Sequence, residues 1–170
     1  MTDWRMGLVS WSLLMFPLHI AVEKGGWEWV AGAESFGLPD EPPPPRELPT
    51  VAQVLSALRE TASHGTPWFE VVDQDVTSYL PPCPTPATCH FAEGADVGEV
   101  SLGGNGGPWE LDRTVTDVRF RKPYGRAVLA VALALAELAG PMLVVDSGGE
   151  QVFVVSPGDE STHLAPHWPW

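Results

Sequence analysis

Cys83 and Cys89, with His90 beside the second, are the residues of this chain best suited by type to nucleophilic or metal chemistry. Five residues separate the thiols, whereas zinc ligands favour two to four, and a closed site would need a fourth ligand from elsewhere. The spacing favours reduced, unpaired thiols over a disulfide closing the loop, and both over a metal site or a nucleophile, which suits a reducing compartment. The glycine loop 103–107 has the composition of a phosphate cradle, but that pattern needs a helix after it and usually Lys-Ser or Lys-Thr at its end. Pro108-Trp109-Glu110 follows instead, so a hairpin or surface loop is expected.

Carboxylate pairs at Asp73 and Asp75, Glu93 and Asp96, and Asp159 and Glu160 have the chemistry of general acids and bases. With 22 Asp and Glu in the chain, chance pairs are expected, and no G-x-S-x-G anchors a serine nucleophile beside them. Solvated acidic surface is the favoured reading, with recognition of a basic partner as the functional one. Glu137 differs because it lies in an almost wholly apolar stretch, where a carboxylate must be paired or neutral. Arg119 or Arg121 on the preceding strand would supply a structural ion pair. The histidines of the tail, His163 and His167, lack a third ligand, so no metal and no cofactor is expected.

Over the whole chain, 22 acidic against nine basic side chains give a formal net charge of -13 on 170 residues. Such a field repels nucleic acid and anionic membranes and attracts basic proteins. Five of the nine bases (Arg113, Arg119, Arg121, Lys122 and Arg126) fall in one short stretch, leaving the remainder still more acidic. Eight tryptophans against two tyrosines supply rings that serve equally in cores and at interfaces. The apolar run Gly7–Val22 is too short for a transmembrane helix, is interrupted by Pro17 and His19, and lacks the flanks of a leader, so a cytoplasmic protein is expected.

Hydrophobic period and the placing of Gly and Pro define the secondary structure. A chain of this length fits one domain, 1–170, burying about 70% of its unfolded surface. The segment Trp4–Val30 predicts strands around a turn at Glu23–Gly26, with helix possible over Trp11–Phe16. A proline-rich connector spans 39–49; its four consecutive prolines, Pro42–Pro45, must be extended, as a spacer in preference to a docking site. Thr50 opens an amphipathic helix over about 50–63, with a capping box to Gln53 and Val51, Val54, Leu55, Leu58 and Ala62 on one face, ended by His64-Gly65. Strands are predicted at Trp68–Val72, Glu99–Leu102 and Val115–Arg121, the last with Val118 and Phe120 on one face and Arg119 and Arg121 on the other. A buried apolar helix over about 124–139, started near Pro123 and capped by Gly140, precedes a hairpin of Met142–Val145 and Val152–Val155. The tail His163–Trp170 is expected to pack back on the domain. The fold class is therefore α+β, with an antiparallel or mixed sheet packed on the two helices.

In size, acidity, fold class and lack of catalytic residues, the chain resembles bacterial immunity proteins for secreted polymorphic toxins. That resemblance is one of type and rests on no shared motif. It implies a cytoplasmic, non-enzymatic inhibitor that occludes the active site of a cognate toxin or effector carrying a basic surface. Asp73, Asp75, Glu93, Asp96 and Glu99 are the expected partner-binding acids, with Trp68 and Trp109 as apolar anchors. The alternative is a small enzyme or ligand-binding domain with a site built from dispersed residues such as His64, Cys89, His90 and Glu137. A third option is a structural subunit or secretion adaptor, which a self-complementary apolar patch would mark.

Overall fold

Alternation decides the first element: Leu13 and Met15 are fully buried on one side, Leu14 and Phe16 partly buried on the other. In the computed structural model, which describes residues 11–87, 95–104 and 108–170, this segment is strand β1 (Ser12–Pro17). It lies between β5 (Asp117–Arg121) and β6 (Met142–Asp146), antiparallel to both. The helix entertained for Trp11–Phe16 does not form, because a central strand with apolar layers on both faces satisfies a period of two.

The remaining strands are β2 (Glu34–Phe36), β3 (His64–Pro67), β4 (Asp96–Gly103) and β7 (Gln151–Val155), giving a seven-stranded sheet in the order β2-β7-β6-β1-β5-β4-β3. The five central strands are antiparallel; each edge strand, β2 on β7 and β3 on β4, is parallel to its neighbour. With its helices the domain is α+β with a mixed sheet, as the sequence predicts.

One face of the sheet carries the main core. Helix α3 (Val51–Glu60) turns Val51, Val54, Leu55 and Leu58 inward, and its capping box is complete: Gln53 N–H donates to Thr50 Oγ1 at 3.2 Å and Thr50 N–H to Gln53 Oε1 at 2.9 Å. Helix α4 (Gly125–Ala139) buries Val128, Leu129, Val131, Ala132 and Leu135 against Leu13, Met15, Val100, Val118 and Phe120. Gly140, at φ +81°, closes it. Truncating any of these fully buried leucines to alanine is worth about 2–5 kcal/mol. On the opposite face the described residues cover one half. Short helices α1 (Leu18–Glu23) and α2 (Trp27–Gly32) bring Leu18, Ala21 and Val30 onto Leu143, Val145, Val152 and Val154. Over β4 and β5 that face instead carries Glu99, Ser101, Arg119 and Arg121.

Several expected boundaries move, each for a local reason. The turn at Glu23–Gly26 joins two helices and not two strands: Pro17 ends β1, and Gly25, at φ +74°, reverses the chain after α1. Helix α3 stops at Glu60, and His64-Gly65 opens β3 instead of terminating the helix. The strand expected at Trp68–Val72 is displaced upstream to His64–Pro67, since the last bond of that run to β4 is Trp68 N–H to Val100 O. Strand β5 starts at Asp117 because Val115 N–H is taken by Pro49 O at 2.8 Å, which buries Val115 beside the connector. Pro123 precedes the N-cap Tyr124 and is not itself helical.

Glu137 is exposed, at the solvent side of α4, where its Oε1 accepts from Gly158 N–H at 2.7 Å; it forms no pair with Arg119 or Arg121, and the latter binds Glu99. An apolar helix still has a wet side near its end, which the composition around Glu137 concealed. The tail packs as expected. Helix α5 (Ser161–Leu164) and a 3-10 turn over Ala165–His167 deliver Trp168, whose Nε1–H donates to Gly125 O at 3.0 Å. Trp168 meets Phe153 and Trp170 edge-on at 4.8 and 4.9 Å, and His167 stacks on Phe36.

Candidate functional site

After β3 the chain leaves the sheet as a loop, Trp68–Tyr79, built on alternating anchors. Phe69, Val71 and Tyr79 point inward and are buried, with the Phe69 and Tyr79 rings stacked at 5.5 Å. The Tyr79 hydroxyl accepts from Val71 N–H at 2.7 Å and lies 3.3 Å from Val71 O. Val71 also bridges to Trp109, whose carbonyl accepts from Val72 N–H at 2.9 Å. From α3, Arg59 donates through Nε and Nη2 to Ser78 O at 3.1 and 2.7 Å. The loop is thus tied at its middle and its end.

What these anchors hold outward is apolar and acidic. Trp68 is 63% exposed, Val72 42% and Val76 51%, three of the six exposed large hydrophobic residues among the described residues. Between them stand exposed Glu70, Asp73 and Asp75. Asp73 adopts φ +59°, a left-handed conformation that Asp tolerates better than most residues. Asp75 caps the 3-10 turn Val76–Ser78: its Oδ1 accepts from Thr77 N–H and Thr77 Oγ1, both at 3.0 Å. The Thr77 backbone bond, then the hydroxyl bond, lowers the Asp75 carboxyl below the ordinary aspartate range, since both favour its anion.

Beside the loop lies an open groove of about 910 Å³. Strand β3 forms one wall and Val76, Leu80, Pro81 and Pro82 another, while Asp96, Glu99, Arg121 and Lys122 line its polar part. Gly98, at φ +70°, bends β4 there, and its N–H donates to Asp96 Oδ1 at 2.8 Å. Glu99 pairs with Arg121 at 3.0 Å, an exposed bridge worth about 0–1 kcal/mol. His64 and Cys83 also line the groove.

Of the residues expected to bind a partner, Asp96 and Glu99 therefore lie in the groove, Asp75 adjoins its rim, and Trp68 and Asp73 stand on the neighbouring loop. Trp109 sits behind that loop, half-buried on the main core, with the Arg113 guanidinium 4.2 Å over its ring. Glu93 lies outside the described residues, as do Cys89 and His90. Of the alternative dispersed set, His64 lines the groove and Glu137 does not. Sequence reading missed Glu70, Val72 and Val76, although a signal was present: from Glu60 to Asp112 the chain carries nine carboxylates and neither lysine nor arginine. Among the described residues no cluster of three or more His, Cys, Asp or Glu is placed to hold a metal ion, and no helix is long and apolar enough to cross a membrane. No protein-family model, curated protein or solved structure matches the chain.

Proposed function

We propose that this protein is an acidic inhibitor that binds a basic toxin or effector protein and occludes its active site, with the Trp68–Tyr79 loop and the adjoining groove as the contact surface. The observation that carries this reading is the exposure of Trp68, Val72 and Val76 on a braced loop whose charges are all negative. An exposed tryptophan on a fixed backbone is a pre-ordered anchor, so little side-chain and loop entropy is lost on docking. The surrounding carboxylates supply attraction at long range and speed encounter with a positive cleft.

Kinetic binding to a basic effector encoded beside this gene tests the proposal. Neutralising Asp73, Asp75 and Glu99 should slow association at low salt while leaving dissociation nearly unchanged, and Trp68→Ala should speed dissociation. Absence of binding to any such effector, or rates indifferent to both sets of substitutions, would overturn it. A second reading, a small-ligand domain, draws on the groove that gathers His64, Cys83, Asp96 and Glu99. It predicts a metabolite that protects the fold against heat without any protein partner.

A further inference from the structure

The four consecutive prolines Pro42–Pro45 take no part in the surface described above. Each fixes its own φ and forces the residue before it into an extended ψ, so this run holds polyproline II geometry whatever surrounds it. It is also tied at both ends. Leu38 packs against the second core cluster, and Pro49 O accepts from Val115 N–H at 2.8 Å.

Polyproline II repeats every three residues, so three edges run along the segment. On one edge Pro43 is half-buried, while Arg46 is exposed and its aliphatic stem passes close enough to Gly140 that a Cβ there would come within 2.9 Å of Arg46 Cδ. The other two edges are open: Pro42 and Pro45 are exposed on one, Glu41, Pro44 and Glu47 on the other. Pro42 and Pro45 stand one turn, about 9 Å, apart.

We propose that this ridge is a ligand for a polyproline II-recognising domain whose aromatic groove is flanked by basic residues. An aromatic-lined groove gains most from a segment that needs no ordering, and this one is rigid by composition and anchored at each end. The charge of the partner follows from the charges around the prolines. Asp40, Glu41 and Glu47 are exposed there against one exposed cation, Arg46, so the ridge is negative on balance and lysine or arginine must border the groove that receives it.

The test is calorimetric titration of the full chain with a panel of purified SH3, WW and EVH1 domains, chosen to include basic and acidic groove flanks. Micromolar binding by a basic-flanked domain is expected. It should weaken about tenfold in the double variant Pro42→Ala/Pro45→Ala and by a similar factor in Glu41→Lys/Glu47→Lys. All four positions are exposed, so the charge variant should keep the wild-type melting temperature and the proline variant should lose only the few degrees that a more flexible unfolded chain costs; if it melts earlier than that, the charge variant decides. Binding no tighter than millimolar across the panel, a preference for acidic flanks, or wild-type affinity in the variants would overturn the proposal.

Discussion

Removing one oxygen atom tests whether the candidate loop is braced as its hydrogen bonds imply. Tyr79→Phe keeps the ring, its stacking on Phe69 and its full burial, so no cavity opens. What is lost is the acceptor for Val71 N–H, 2.7 Å away in a residue that is itself only 4% exposed. A buried N–H left without a partner costs about 1–3 kcal/mol. For a chain of this size each kcal/mol lowers the melting temperature by about 2–4 °C, so a fall of about 6 °C is expected at the middle of that range. Calorimetric melting and amide hydrogen exchange should be read together. Protection at Val71 should drop by more than the global loss, whereas amides of α4 should follow the global loss alone. A melting temperature within about 1 °C of wild type, with Val71 protection unchanged, would refute the bracing argument and, with it, the pre-ordered anchor on which the proposed function depends.

The binding surface predicts a division of labour. Asp73→Asn/Asp75→Asn/Glu99→Gln should slow association with a basic partner about tenfold at low salt, and Trp68→Ala should cost about 2 kcal/mol of affinity, chiefly through faster dissociation, both measurable by surface plasmon resonance. The depressed titration of Asp75 makes its cap stabilising above the unfolded aspartate range, and that contribution fades as pH falls through the lower folded value. NMR titration should therefore find Thr77 N–H still bonded at about pH 4, with local order lost only below that, and Asp75→Asn should remove the acid-dependent step. Gly98→Ala should destabilise by about 3 kcal/mol or more in a denaturant melt, since φ +70° is strained and the new methyl would overlap the Arg121 carbonyl; Gly25→Ala, at φ +74° with nothing within 4 Å, should cost only about 1 kcal/mol. Trp168→Ala should cost about 3–5 kcal/mol, and Trp168→Phe less, since it keeps one ring of the packing while losing the bond to Gly125 O and leaving a smaller void.

Elements whose signals are local were legible in the sequence. The capping box at Thr50, the apolar period of α3, the glycine closing α4 and the hairpin of β6 and β7 all appear where chain chemistry puts them. The strand expected in the first segment forms at Ser12–Pro17, but the flanks of the turn at Glu23–Gly26 and the run Trp68–Val72 were misassigned, because short apolar runs fit strand or helix equally until neighbours claim their faces. The candidate site was legible in part. Charge and the exposed chemistry of Trp68, Asp73 and Asp75 could be read from composition, but the exposure of Val72 and Val76 could not, because it depends on buried Tyr79 holding Val71 and on Arg59 reaching Ser78.

Composition and period by themselves determined that this chain folds as α+β, that two helices bury apolar faces, and that its surface field is strongly negative, since each of these sums over residues without regard to who meets whom. Tertiary structure alone decided that β1 runs through the centre of the sheet, that Glu137 faces water, and that Asp96, Glu99 and Arg121 share one groove with β3. Those outcomes depend on pairings between residues far apart in sequence, such as Thr66 with Glu99 and Glu99 with Arg121, and pairings at that separation leave no periodic trace in either partner.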